Sequence, residues 1–413
     1  MVRFNPYSYE FHEDPFPVYK KLRDDAPCYH DAELGFWALS RYDDVLAALH
    51  DPDTYCSRYG ITLEEGNPLP MMLTTDPPAH TRLRRLVSRA FTPRRIAGLE
   101  DSIRALSRHA LGTVDRDELD LIADYAALLP MDVISKLLGV PDNDQEQLRK
   151  WSDALLHREA GIPDVTPEGV EAATHLYKYF SAFVADRRAR PGGDDFTAAL
   201  LAAEPDGEAL DDISVIGFLF LLIIAGNETT TKLLGNCMLA LQRFPSEKAK
   251  VVADHARIAD AVEEILRYEG STQAMARTLA RDTELHGEQM RAGDRVLLLL
   301  GSGNRDERVW DRPDVFDIDR AWPTHHLGFG HGIHVCLGAA LARLEMRVSL
   351  EEVLTRFPAY EIDETGLERV HSGNVRGYSR MPMRLLSRAP ASRRRAARRG
   401  PSGPARRAES GEL

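Results

Sequence analysis

Cysteine is scarce. The 413 residues hold four, Cys28, Cys56, Cys237 and Cys336, far apart and without a C-x-x-C pair. Their spacing excludes a disulfide framework or zinc ribbon and fits a reducing cytoplasm. A long hydrophobic run is also missing. The most apolar stretch, ISVIGFLFLLIIAG at 213–226, is bounded by Asp211-Asp212 and Asn227-Glu228 and is too short to span a bilayer. In the first 20 residues Pro6, His12, Asp14 and Pro17 interrupt any apolar run, so neither a signal peptide nor a membrane anchor is expected. Positive charge is not in excess either: 52 Lys and Arg against 64 Asp and Glu leave a net −12, which excludes nucleic acid as the default partner. No fixed-period repeat and no Pro/Gly/Ser-rich interdomain linker divides the chain. A dinucleotide fingerprint is absent too, because GSGNRD at 301–306 puts Asp306 where the third glycine belongs.

What remains is an ordinary globular composition, 43% apolar and 28% charged, long enough to enclose a cofactor. The charge is uneven. From Ser387 onward the chain reads SRAPASRRRAARRGPSGPARRAESGEL, with eight arginines, two glutamates and almost nothing to pack, so residues 387–413 are expected to be a disordered Arg-rich tail. The body, 1–386, carries the opposite sign. Helical periodicity dominates at 80–91, 96–114, 176–190 and 259–269, and the apolar run at 213–226 is expected to continue as a long central helix until Phe244-Pro245 stops it. Strand-like runs are few: FWALS near residue 36 and 278–300. The expected architecture is mainly α with a minor β portion, one large domain.

The stretch richest in chemistry starts at His325, HHLGFGHGIHVCLGAALARLEMRVSLEEVL. A glycine-spaced loop ends on Cys336 and turns into a helical pattern with Leu341, Leu344 and Val348 on one face. A cysteine at a helix start meets unpaired N–H groups and the positive end of the dipole, which stabilise a thiolate. One soft sulfur, with no second Cys or His at zinc spacing, suits one axial position of haem iron. FGHGIHVCLG fills every position of F-G-x-G-x-H-x-C-x-G, and on it the chain resembles the cytochrome P-450 monooxygenases. The resemblance implies the cytochrome P-450 fold around a buried haem, haem b (iron protoporphyrin IX). It implies Cys336 as the iron ligand, Phe329 against the sulfur side of the macrocycle, Gly330 and Gly338 allowing close approach, and His334 reaching a propionate.

Three further motifs stand in family order over residues 10 to 386. Glu264 and Arg267 in AVEEILRYEG are three apart on one helix face and able to pair. The same spacing recurs at Glu146 with Arg149 and Glu288 with Arg291, so position singles them out, and with Arg320 they correspond to a structural triad of the family. In AGNETTT, Gly, Asn and three Thr are poor helix-interior choices, which suggests a widened turn at Ala225 and Gly226. By resemblance Ala225, Gly226, Asn227, Glu228 and Thr229 match the oxygen-activating segment, with Glu228 and Thr229 delivering the protons that O–O cleavage consumes. His80 and Arg84 lie four apart after Asp76-Pro77-Pro78 and, with Arg277 and His334, match the family's propionate-binding set. The chain departs from many relatives in RYEGSTQAMAR, which lacks their proline, and that segment normally lines the substrate pocket.

The expected activity is insertion of one oxygen atom of O2 into an apolar substrate, in natural-product tailoring or sterol and lipid oxidation. A haem-thiolate peroxygenase or isomerase and a non-catalytic haem sensor stay open as alternatives. Without a reductase fingerprint, electrons are expected from a ferredoxin or flavodoxin and its NAD(P)H-dependent reductase, steered by Arg82, Arg85 and Arg89 on the face of the sulfur. A monomer in the cytoplasm is expected. Met71, Met72, Leu221, Ile224, Ala225, Gln273, Ala274 and Val375 are the candidate pocket residues, with Gln273 as a polar anchor.

Overall fold

The structure is a computed structural model that describes residues 2–64, 71–88, 91–114, 116–160, 162, 165–203 and 210–387. The basic tail beyond Ser387 and Arg89 lie outside the described residues.

The apolar run becomes the axis of the molecule, a helix over Asp212–Arg243. Asp211 caps it by accepting from Ser214 N at 2.8 Å, and it ends at Phe244, ahead of Pro245, which cannot continue an α ladder. It is apolar nearly all round because helices surround it: Leu128–Leu138, Gln145–Leu156, Pro167–Ala189, Ile258–Tyr268 and Ala339–Arg356 pack on its sides. By length and hydropathy it is the one helix among the described residues able to cross a membrane, and its apolar surface is spent inside the core. The widened turn expected at Ala225 and Gly226 does not form, since the α pattern is unbroken from Asp212 to Arg243. Tertiary burial on both sides of the weak segment outweighs its low propensity.

The expected β portion is a five-stranded sheet in the order Cys28–Asp31, Phe36–Leu39, Arg295–Leu298, Met275–Leu279, Tyr55–Cys56. Phe36–Leu39 runs parallel to Arg295–Leu298, and Met275–Leu279 is antiparallel to it with Arg277 opposite Val296. A three-stranded sheet of Glu118–Asp120, Pro382–Leu385 and Tyr360–Ile362 was not visible in the sequence, because runs of three or four residues carry little periodicity.

Candidate functional site

Cys336 stands at the end of a loop built by two close backbone contacts. Gly330 and Gly332 have φ of +65° and +68°, the left-handed region, and a Cβ on Gly332 would lie 2.2 Å from the Leu49 carbonyl oxygen, so glycine alone fits there. Cys336 N donates to Phe329 O at 2.8 Å and Gly330 N to Leu327 O at 2.8 Å, which folds the loop back on itself. The next helix, Ala339–Arg356, has Gly338 as its N-cap, so Cys336 sits just ahead of the first turn instead of inside it. Its sulfur still receives the Gly338 N–H. The expected net thiolate stabilisation is not what the protein alone provides. Burial pushes the Cys336 thiol up by more than the Gly338 N–H, Arg84 and Arg343 pull it down. A metal cation bound to the sulfur would deprotonate it. Arg343 lies 4.6 Å over the Phe329 ring and pairs with Glu263, which also meets His326 Nε2 at 3.1 Å.

The loop is anchored from behind by the Glu264 triad. Glu264, Arg267 and Arg320 come together, with side chains 0%, 0% and 5% exposed. Arg267 forks onto both Glu264 oxygens at 2.9 and 2.7 Å, and Arg320 Nε reaches the same carboxylate at 3.0 and 3.1 Å. Arg267 Nη1 also donates to Asn304 O at 2.9 Å, and the Asn304 side-chain oxygen accepts Leu327 N at 2.7 Å, at the root of the cysteine loop. Asn304 therefore links triad and loop. It went unnoticed in the sequence, lying in the failed dinucleotide match GSGNRD.

His80, Arg84, Arg277 and His334 converge as expected. The His80 and His334 rings are 4.3 Å apart, and Ser57 Oγ meets His334 Nε2 at 3.2 Å. Burial first, then Arg277, His80 and Arg84, push His334 down to about 3. Burial pushes Arg277 down to about 10, and its one side-chain hydrogen bond among the described residues goes to Ala276 O at 2.8 Å. Both His80 ring nitrogens are sealed from solvent and have no partner among the described residues. The nearby carboxylate of Asp76 is already engaged by Ser57 N, Arg58 N and the Arg58 guanidinium. A buried cluster with unspent donors and no free counter-charge among the described residues fits a ligand carrying carboxylates. The thiol points the same way: Cys336 retains open surface although protein encloses it, as does Ala225 in the middle of the core helix, so both border interior space. These residues fit haem, with Cys336 for the iron and the cationic group for the propionates.

On the central helix the Thr229 hydroxyl donates to Ala225 O at 2.9 Å, and its lone pairs remain available. The open side of Gly226 faces Ile134, where a Cβ would sit 3.4 Å from Cγ1, so the glycine relieves helix packing on that side. Glu228 is buried and bonded to Lys232 Nζ at 3.2 Å, one turn on. It also shares a hydrogen bond with Asp153, from the helix Gln145–Leu156. Lys232 was legible from its i,i+4 spacing; Asp153, 75 residues away, was not.

The expected pocket residues separate. Met71, Leu221 and Ile224 pack against the core cluster that holds Met72 and part of the central helix. Gln273, Ala274 and Val375 instead border a small cavity of about 20 Å³ with Phe4, Phe11 and Tyr19. Gln273 is no free anchor: its Nε2 donates to Gly270 O at 2.7 Å and its Oε1 accepts from Tyr19 at 3.4 Å. Of the steering arginines, Arg82 and Arg85 lie on the helix Ala79–Ser88.

A helical core around a loop thiol that keeps open surface, with a carboxylate-binding cationic cluster beside it, defines a haem-thiolate protein. The cytochrome P450 family model matches residues 166–374. Cytochrome P450 123 of Mycobacterium tuberculosis is 46% identical over 391 residues, 93% of this chain and 97% of that protein. The polyketide biosynthesis cytochrome P450 PksS of Bacillus subtilis is 35% identical over 380 residues, 87% of this chain and 93% of its own. The solved structure of a mutant of P450 EryK in complex with erythromycin B superposes with a TM-score of 0.85 at 36% identity, covering 92% of this chain and 98% of that one. The chain belongs to the bacterial cytochrome P450 family and has its fold. It is a cytochrome P450 monooxygenase, which implies a haem cofactor, redox partners and an organic substrate.

Proposed function

We propose that this enzyme inserts one atom of O2 into an apolar natural product of the polyketide class, by hydroxylation or epoxidation. The observation that carries the chemistry is the lone Cys336 thiol, held by the Gly338 N–H and enclosed with surface still open to the interior. The haem, taken as haem b, supplies dioxygen activation when bound. Cys336 would hold the iron, Phe329 would pack beside the sulfur, Gly330 and Gly338 would let the backbone approach, and Ala225 would border the haem, with Gly226 fitting this turn of the helix against Ile134. His80, Arg84, Arg277 and His334 bind the propionates as charge-assisted donors. Glu228 holds a proton-accepting carboxylate against Lys232 and feeds the Thr229 hydroxyl, whose oxygen accepts as its own proton moves on. Glu264, Arg267 and Arg320 hold the loop in place.

The substrate class rests on the name of PksS and on the erythromycin B in the EryK structure, together with the apolar residues Met71, Met72, Leu221 and Ile224. The enzyme works as a cytoplasmic monomer taking electrons from a ferredoxin or flavodoxin and its reductase. Residues 1–386 form the haem domain, and 387–413 are an appendage outside it. The test is reconstitution with NADPH, reductase and ferredoxin on a polyketide panel. Product that requires both these electrons and dioxygen supports the reading. Product from peroxide alone selects the peroxygenase, and haem binding without product on any compound selects the sensor.

A further inference from the structure

Glu228 faces a supply problem. Its side chain is 6% exposed and one oxygen is tied to Lys232 at 3.2 Å, so a proton it gives up cannot be replaced directly from bulk water. Asp153 offers the route. It lies on Gln145–Leu156, packed across the central helix; its side chain is 44% exposed, and Arg149 Nη1 lies 3.4 Å from its Oδ2. The four groups run from the half-buried Arg149 through Asp153 and Glu228 to the buried Lys232. On the neighbouring helix Pro167–Ala189, Tyr179 bonds Asp144 at 2.7 Å and His175 stacks on Trp151.

Two carboxyl groups in hydrogen-bond contact hold one proton between them, because both ionised would repel at close range. Burial and the Glu228 charge push Asp153 up, whereas Glu228, despite its burial, is displaced downward by the Asp153 hydrogen bond and Lys232. The pair therefore shares one proton, and Asp153 is the partner open to solvent.

We propose that Asp153 is the outer station of a proton inlet, taking protons from solvent and passing them to Glu228 for delivery toward Thr229. The proposal rests on the reading of Glu228 and Thr229 as proton donors. The relay balances: Asp153 transfers its carboxyl proton to a Glu228 oxygen, a solvent proton restores Asp153, and Glu228 then passes its proton to the Thr229 oxygen as the Thr229 proton moves on. The pair returns to one negative charge after each cycle and never carries two. Asp153 acts through Glu228 and is a positioning residue for the proton.

Asp153→Asn keeps a hydrogen bond to Glu228, and so the tie between the helices, but carries no transferable acid proton. Infrared spectra of the full-length holoenzyme at neutral pH should show a protonated-carboxyl carbonyl band that disappears in Asp153→Asn and shifts in Glu228→Gln. In turnover, Asp153→Asn should lose about tenfold in product formed per NADPH, increasingly as pH rises, with unchanged substrate KM. A band untouched by Asp153→Asn, or wild-type coupling and pH profile in that variant, overturns the inlet. Absence of product in the wild-type enzyme as well contradicts the monooxygenase reading instead, and the infrared band still decides the inlet.

Discussion

Arg267 grips Glu264 through two parallel hydrogen bonds of 2.9 and 2.7 Å with both side chains fully buried, and through Asn304 it ties the core to the root of the cysteine loop. The pair is not an energetic bonus, since desolvation offsets much of its Coulomb attraction. Its value lies in the chain of hydrogen bonds it begins, from Arg267 through Asn304 to Leu327.

Breaking it from one side should be severe. Glu264→Ala leaves Arg267 and Arg320 buried without a counter-charge, at a cost of about 3–5 kcal/mol. Urea unfolding of the purified variant measures this, and a loss under about 1 kcal/mol would assign the triad a minor role.

Arg84 and Arg277 should govern how tightly the cofactor is kept. A hydrogen bond to a charged group contributes about 1.5–3 kcal/mol, so each alanine variant should lose haem to apomyoglobin about tenfold faster or more. Unchanged transfer rates in both would remove them from the propionate site.

Acid should loosen the N-terminal segment. His12 Nε2–H donates to Pro6 O at 2.8 Å, leaving Nδ1 to accept from His371 Nδ1–H at 3.4 Å, and His371 stacks on Tyr9 at 3.4 Å. Burial pushes both histidines below their ordinary value, so the unfolded chain binds more protons below about pH 6.5, and stability falls as pH drops. The melting temperature should decline between about pH 7.5 and about pH 5.5, less steeply in His371→Asn. Equal slopes would show that the pair does not contribute.

Removing residues 387–413 should leave folding and haem content intact, because eight arginines in a stretch almost without apolar side chains have no core to join. Insoluble or haem-free protein after truncation would contradict this.

Much of the site was legible because its chemistry is local. Phe329 to Gly338 is one contiguous motif, Glu264 and Arg267 share a helix turn, and so do His80 and Arg84. Asp153 and Asn304 were hidden, since each acts on a residue far along the chain and has an ordinary sequence context. The widened turn failed for a different reason: AGNETTT is weak as an isolated helix, yet Thr231 bonds both Asn227 O at 2.9 Å and Ala126 O at 3.1 Å, and such tertiary support keeps the α ladder regular. The thiolate expectation counted the helix terminus and left out desolvation, which dominates at Cys336.

The central claim is that Cys336 holds the iron, and the reduced carbon-monoxide difference spectrum tests it most directly. The wild-type protein should give the red-shifted Soret band of a thiolate-bound haem, and Cys336→Ala should bind haem without that band. The same band in Cys336→Ala would contradict the assignment.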